Sequence, residues 1–310
     1  MKYAIIAICV CLFSSCESSS STSSQQQSTS QDKLASQPDY PFSYRLDQPD
    51  ATFKLHNDLV EISGLSLSND PRYLLAVNDE EGKVFFIDKK TGEIEKDEKF
   101  GKSGDYEGVE MVGDMLYAVR NSGTIVAVEN LGKEDKKDES YNTALDPDND
   151  VEGLCFDSAT NRLLLACKGE AGKGGEFRLK RAVYGFDLEK KELVEDPVFI
   201  IDREEIRIFA EKLGKKVPKL IEILAPDSSS SSFAPSGIAI HPITKDIYLI
   251  SSVGKVLVIL NPDGKIVHLE RLDSTLFRQP EGICFEADGT MYIASEGKGG
   301  KGRLFRFNSL

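Results

Sequence analysis

The sequence is poor in the residues that most enzyme centres use. It has 3 histidines and 6 cysteines in 310 residues. His56, His241 and His268 fall at turn or outer-strand positions of different segments, so none supports another. There is no Cys-x-x-Cys pair and no Cys/His cluster, which excludes a zinc-type site. No catalytic triad, phosphate-cradling glycine loop or dinucleotide fingerprint can be read. Positive charge is also short: 38 Lys and Arg against 51 Asp and Glu leave a formal charge of −13. That balance speaks against nucleic acid and against an anionic membrane surface as partner. The apolar run Ala4 to Phe13 is ten residues, too short to span a bilayer.

That run has another use. Lys2 precedes it and Ser14-Ser15-Cys16 follows it. A positive start, a short apolar core and small residues make a signal peptide over residues 1–15. The ending resembles a lipobox, with Cys16 as the lipidated mature N-terminus, although Phe13 stands where leucine is usual. An ordinary cleaved signal with an incidental cysteine is the alternative. Residues 16–45 are rich in serine and glutamine and bury too little to fold, so they read as a flexible tether. The expected location is the bacterial cell envelope, with the membrane reached through the lipid anchor only.

Of the remaining cysteines, Cys155, Cys167 and Cys284 sit at strand-core positions. An odd number there is no disulfide framework, and small buried hydrophobes are the plain reading.

What the chain does have is a repeated phrase. Glu107-Gly108-Val109 returns as Glu152-Gly153-Leu154 and Glu281-Gly282-Ile283. Serine takes the glutamate slot in Ser63-Gly64-Leu65 and Ser236-Gly237-Ile238. The glycines are 44, 45, 84 and 45 residues apart (108−64, 153−108, 237−153, 282−237). Each phrase opens a set of three or four short apolar runs separated by turn clusters. Four antiparallel strands per unit of roughly 45 residues make a propeller blade. The expected fold is all-β, a five-bladed β-propeller over residues 46–310.

Two irregularities bear on closure. The last unit stops at Phe307 after three strands, and Ala51 to Leu55 is a strand without a blade. An open edge is an aggregation hazard, so the N-terminal strand is expected to complete the last blade. The interval of 84 carries an insertion at about residues 168–232, including a helix-like stretch from Arg203 to Leu213 with Ile206, Phe209, Ala210 and Leu213 on one face.

The first strand of each blade lines the axis, so the Glu/Ser slots converge there. This gathers Glu107, Glu152 and Glu281 with Ser63 and Ser236. A second ring is expected where the second strand ends: Asn78, Arg120, Lys168, Ser252 and Glu296. Counting along the hairpins places Glu281 opposite Glu296 and Glu107 near Arg120. Crowded carboxylates must protonate or take a cation, and a hard divalent ion with oxygen ligands, calcium, suits them. Arg120 and Lys168 can neutralise part of the charge. Alternatively each glutamate accepts backbone amides of the neighbouring blade and staples the ring.

The ordered series Ser63-Gly64, Glu107-Gly108, Glu152-Gly153, Ser236-Gly237 and Glu281-Gly282, followed by Ile293-Ala294-Ser295-Glu296, resembles the SdiA-regulated family of bacterial envelope proteins. These are distant relatives of proteins with NHL repeats. The resemblance spans about Phe53 to Phe307. It implies a five-bladed propeller with a calcium site and no assigned catalytic activity. Carried over to this chain, Glu107, Glu152, Glu281 and Glu296 are the metal candidates. Three functions follow from the site: a monomeric binding module for a small ligand or an envelope protein, a metal-dependent hydrolase of the lactonase or phosphoesterase type, or a scaffold with no ligand. Fold alone does not choose among them.

Overall fold

The computed structural model describes residues 40–213, 222 and 233–310. Its strands form five antiparallel sheets, one per repeated phrase. Blade one holds β2 (Ile62–Leu67), β3 (Tyr73–Asn78), β4 (Lys83–Asp88) and β5 (Ile94–Lys99). Blade two holds β6 (Tyr106–Val112), β7 (Met115–Arg120), β8 (Ile125–Glu129) and β9 (Lys137–Tyr141). In blade three, β10 (Val151–Asp157), β11 (Arg162–Cys167) and β12 (Lys180–Asp187) are followed by an outer edge in two pieces, β13 (Glu192–Leu193) and β14 (Phe199–Asp202). Blade four holds β15 (Pro235–Ile240), β16 (Ile247–Ser251), β17 (Val256–Leu260) and β18 (Ile266–Arg271).

Blade five contains β19 (Pro280–Phe285), β20 (Met291–Ser295) and β21 (Arg303–Phe307), and its fourth strand is β1 (Ala51–Lys54). β1 pairs antiparallel with β21, from Ala51 opposite Arg306 to Lys54 opposite Arg303. The ring therefore closes as expected, and no blade presents an unpaired third strand.

Apolar residues sit between blades as well as within them. One core cluster joins β3 and β4 of blade one to Val109 and Ala118 of blade two; another joins Leu164 and Val183 of blade three to Leu249 and Val258 of blade four. The inner strands are buried on both faces and so read as continuous apolar runs, while outer strands such as β5 and β9 are largely polar. The repeated glycines explain how closely the inner strands approach. A Cβ on Gly237 would lie 2.5 Å from Glu281 O, and one on Gly282 would lie 2.5 Å from Leu65 Cβ. Only a residue without a side chain lets each blade meet the next at the axis.

The tether expected over residues 16–45 ends earlier than that. Tyr44 and Leu46 are buried against blades four and five, with Tyr40 and Phe42 packed beside them. Tyr44 Oη donates to Gly289 O at 2.6 Å, and Tyr40 Oη donates to Asp246 Oδ2 at 2.8 Å. Aromatic side chains hold residues 40–46 as a strap. The rest of the tether, the signal peptide and Cys16 lie outside the described residues.

The segment 168–232 is likewise not one insertion. It contains β12, β13 and β14, which belong to blade three. The decoration is the tip between β11 and β12 and the helix α1 (Arg203–Lys212). α1 is capped by Asp202, whose side chain accepts from Glu204 N, and it buries Ile206, Phe209 and Ala210. Residues 214–221 and 223–232 lie outside the described residues. Among the described residues no helix is long and apolar enough to cross a membrane.

Candidate functional site

The Glu/Ser slot is a β-bulge in every blade. Val151 pairs with Cys167 but Gly153 pairs with Ala166, leaving Glu152 as the extra residue. Glu107, Ser236 and Glu281 are extra residues in the same way, and blade one shifts register between Ile62 and Leu65. A bulge twists the strand and re-aims the side chain it frees. It also corrects the hairpin count: Arg120 pairs with Tyr106 and Ser295 with Pro280, while Glu296 N donates to Gln279 O. Glu281 and Glu296 are therefore offset along the strands, not directly opposed.

The freed glutamates turn to the axis. Glu107, Glu152 and Glu281 line a cavity of about 10 Å³, walled by the five glycine strands. That is the size of one water molecule or one bare ion. The serine slots do not reach it. Ser236 is fully buried, donates to Pro280 O at 2.7 Å and accepts from Ser252 N at 2.9 Å. Ser236 thus staples blade four to blade five, and the Ser252 backbone N–H holds it from within blade four. Ser63 is buried, and its hydroxyl donates only a long contact to Glu61 O at 3.5 Å.

The glutamates behave differently from the serines. Glu281 is only 4% exposed, and neither carboxylate oxygen makes a well-formed hydrogen bond, the Gln279 side chain supplying only a weak one. Burial, with Glu152 and Glu296 nearby, pushes its pKa up to about 8; Lys168 and the neighbouring Gln279 amide pull the other way. Burial pushes Glu107 up to about 10, reinforced by Glu152 and by a hydrogen-bonded Asp105. Glu152 is raised by burial and held by Lys168, whose Nζ lies 2.8 Å from Glu152 Oε1. Burial opposes the Lys168 charge, but Glu152 outweighs it and raises the lysine pKa. Burial, then Asp79 and Glu61, brings Glu296 to about 7.

The rest of the second ring divides. Asn78 holds backbone: its Nδ2 donates to Asp58 O and its Oδ1 accepts from Glu81 N, both at 3.0 Å. Arg120 does not neutralise the channel as expected. Its guanidinium lies 5.0 Å over the Tyr106 ring and donates to Tyr106 Oη at 2.9 Å. The glutamate that staples blades is outside the channel set altogether: Glu110 accepts from Ser66 Oγ of blade one at 2.7 Å and from Met111 N at 3.2 Å.

Several contributing residues escape a reading based on the glycine phrase. Glu61, Asp105 and Asp150 each stand two residues before the Glu/Ser slot, and that shared register is the signal that would have found them. Asp79 follows the end of β3 and lines, with Asp58, Glu61, Glu80 and Glu81, a mouth pocket of about 310 Å³. Lys255 faces Glu281 and Glu296 from blade four; burial, then Lys298, lowers its pKa. Cys155, Cys167 and Cys284 are free, buried thiols with no part in the channel. As the side chains stand, no group of three or more His, Cys, Asp or Glu among the described residues is gathered closely enough to hold a metal.

No family model matches the chain, and no curated protein matches it in sequence. Solved structures do share its fold. A glutaminyl cyclase from Myxococcus xanthus superposes with a TM-score of 0.54 at 12% identity, over 85% of this chain and 97% of that one. The WD40 repeats of RRP9 give 0.48 at 10% identity, over 84% and 99% of the two chains. A chain of a nidogen–laminin complex gives 0.47 at 12% identity, over 76% and 72%. At such identities the likeness concerns the fold alone: the chain is a β-propeller, built here from five blades around an acidic axis.

Proposed function

We propose that this propeller is a recognition module of the bacterial cell envelope whose central channel holds a divalent cation, calcium. One observation carries the reading: Glu281 is buried beside an ion-sized cavity with neither oxygen in a well-formed hydrogen bond. A buried carboxylate without partners is costly, and a cation relieves that cost. The donor chemistry fits a hard ion, because the cavity side chains offer carboxylate oxygens only. Glu281 and Glu107 would hold it, with Glu152 and Glu296 beside them. These residues come from blades two, three and five, so the ion would tie the ring together at its axis. The mouth beside the acidic pocket would meet a small ligand or an envelope protein.

The order Ser, Glu, Glu, Ser, Glu around the ring supports membership of the SdiA-regulated family. Lipidation at Cys16 would attach the propeller to the membrane through the serine-rich tether. The cavity size favours a binding module over a metal-dependent hydrolase. About 10 Å³ holds an ion but leaves no room for an organic substrate against the glutamates.

Calcium added to chelator-treated protein should raise its melting temperature by several degrees, by mass action on the folded state. Glu281→Gln should blunt that rise. A melting temperature indifferent to calcium, magnesium and chelator would sink the cation reading.

A further inference from the structure

Among the described residues, the only ion pair made by a cavity glutamate is the one from Lys168 to Glu152. The lysine is fixed where it stands. It follows β11 directly, and Lys168 N donates to Asp150 O at 2.8 Å. The next residue, Gly169, donates to Asn149 O at 2.9 Å, and a Cβ there would lie 2.0 Å from Asp148 O. The backbone carrying Lys168 is thus clamped to the turn that leads into Glu152. Its ammonium acts on Glu281 as well as on Glu152 and Asp150.

The other charges near the axis offset one another or lie further out. Asp105 is hydrogen-bonded to Glu107. Asp150 and Glu296 are matched in number by Lys255 and Lys298, and Glu61 and Asp79 line the mouth pocket, not the cavity. The cavity itself holds three carboxylates, and one ammonium is ion-paired to them. A bound cation would displace the protons of Glu107 and Glu281, and with all three ionised, three negative charges less one positive leave two.

We infer that Lys168 is a specificity-determining residue that sets the charge of the cation the channel accepts. With Lys168 in place one divalent ion neutralises the cavity, and a trivalent ion leaves an excess charge in a poorly solvated site. Without it the cavity carries a further negative charge and favours a trivalent ion. The inference rests on the cation reading given above, and charge reversal in pairs separates the two.

Terbium luminescence, with calcium as competitor, measures both affinities in the full folded chain. Lys168→Met should raise the preference for terbium over calcium by about tenfold or more, as expected for one unit charge at close range. Lys168→Arg, which keeps the charge, should retain the wild-type ratio. The double variant Glu152→Gln with Lys168→Met removes one charge of each sign and should return the ratio to near wild type. Thermal melts establish that each variant is folded, and the double variant supplies the test if Lys168→Met alone is not. A Lys168→Met ratio equal to wild type, or a double variant that does not return, would overturn the role of Lys168 while leaving the cation site standing. Wild-type protein that binds neither ion would overturn the cation reading itself.

Discussion

At the scale of single residues, one repeated slot does two jobs. Where it holds serine, as at Ser236, the side chain turns to the backbone of the next blade. Where it holds glutamate, the longer side chain reaches past the backbone to the axis. Ser236→Ala should therefore cost about 1–2 kcal/mol, because it leaves Pro280 O and Ser252 N short of a buried partner. Urea unfolding would measure that loss, and the melting shift caused by calcium should be the same as in wild type. A lost calcium response in Ser236→Ala would move the serine from staple to ligand. The positions of the channel glutamates were legible in the sequence because their glycines recur at a fixed spacing. Their partners were not. The bulge adds one residue to the strand without changing the apolar pattern, so hairpin counting set Glu281 against Glu296. Arg120 was expected in the channel because only its register could be read, not the pull of the Tyr106 ring.

At the scale of elements, the five blades and the closing strand were legible for one reason. An orphan strand at one end and a missing strand at the other are complementary defects. Deleting residues 51–55 should expose the β21 edge and remove Leu55, which is fully buried against blades one and five. The expected result is aggregation or a clearly lower melting temperature by light scattering and calorimetry; a truncated protein as soluble and stable as the parent would contradict closure by β1. The strap was not legible. Tyr40, Phe42 and Tyr44 follow a serine-rich run and show no partner in sequence, because their partners, such as His241 and His268, lie about 200 residues away. Tyr44→Ala should lower stability by about 3 kcal/mol or more, the usual cost of removing a large buried aromatic, while leaving the channel's response to calcium intact. A loss below 1 kcal/mol in a denaturant titration would mean the strap packs without holding.

At the scale of the whole molecule, the acidic surplus has a direction in pH. Four carboxyls in or beside the inter-blade core sit above their ordinary value of 4.5: Glu107 at about 10, Glu281 at about 8, and Glu110 and Glu296 at about 7, each mainly by burial. A folded acid with a raised pKa holds its proton where the unfolded chain has lost it. The stability from these groups is fully present below about 4.5 and fades as pH rises through 7 to 8 and beyond. The opposite group is on the surface, where hydrogen bonds from Arg72 lower Asp70 to about 2 and backbone amides lower Asp88 and Asp187. Their contribution is lost only as pH falls below about 4. Cation-free protein should thus melt highest near pH 5 and progressively lower towards pH 9. Calcium should act in the reverse sense, raising the melting temperature most at pH 8 to 9, where no proton competes for Glu281. Glu281→Gln should flatten the decline between pH 5 and 8, because the amide has no proton to lose on crossing that range. Calorimetric scans at pH 5, 7 and 9, with calcium and with chelator, would check all three. A cation-free protein that grows more stable from pH 5 to pH 9 would show that the channel carboxylates are ionised and satisfied without any ion, and that the axis is held by another set of contacts.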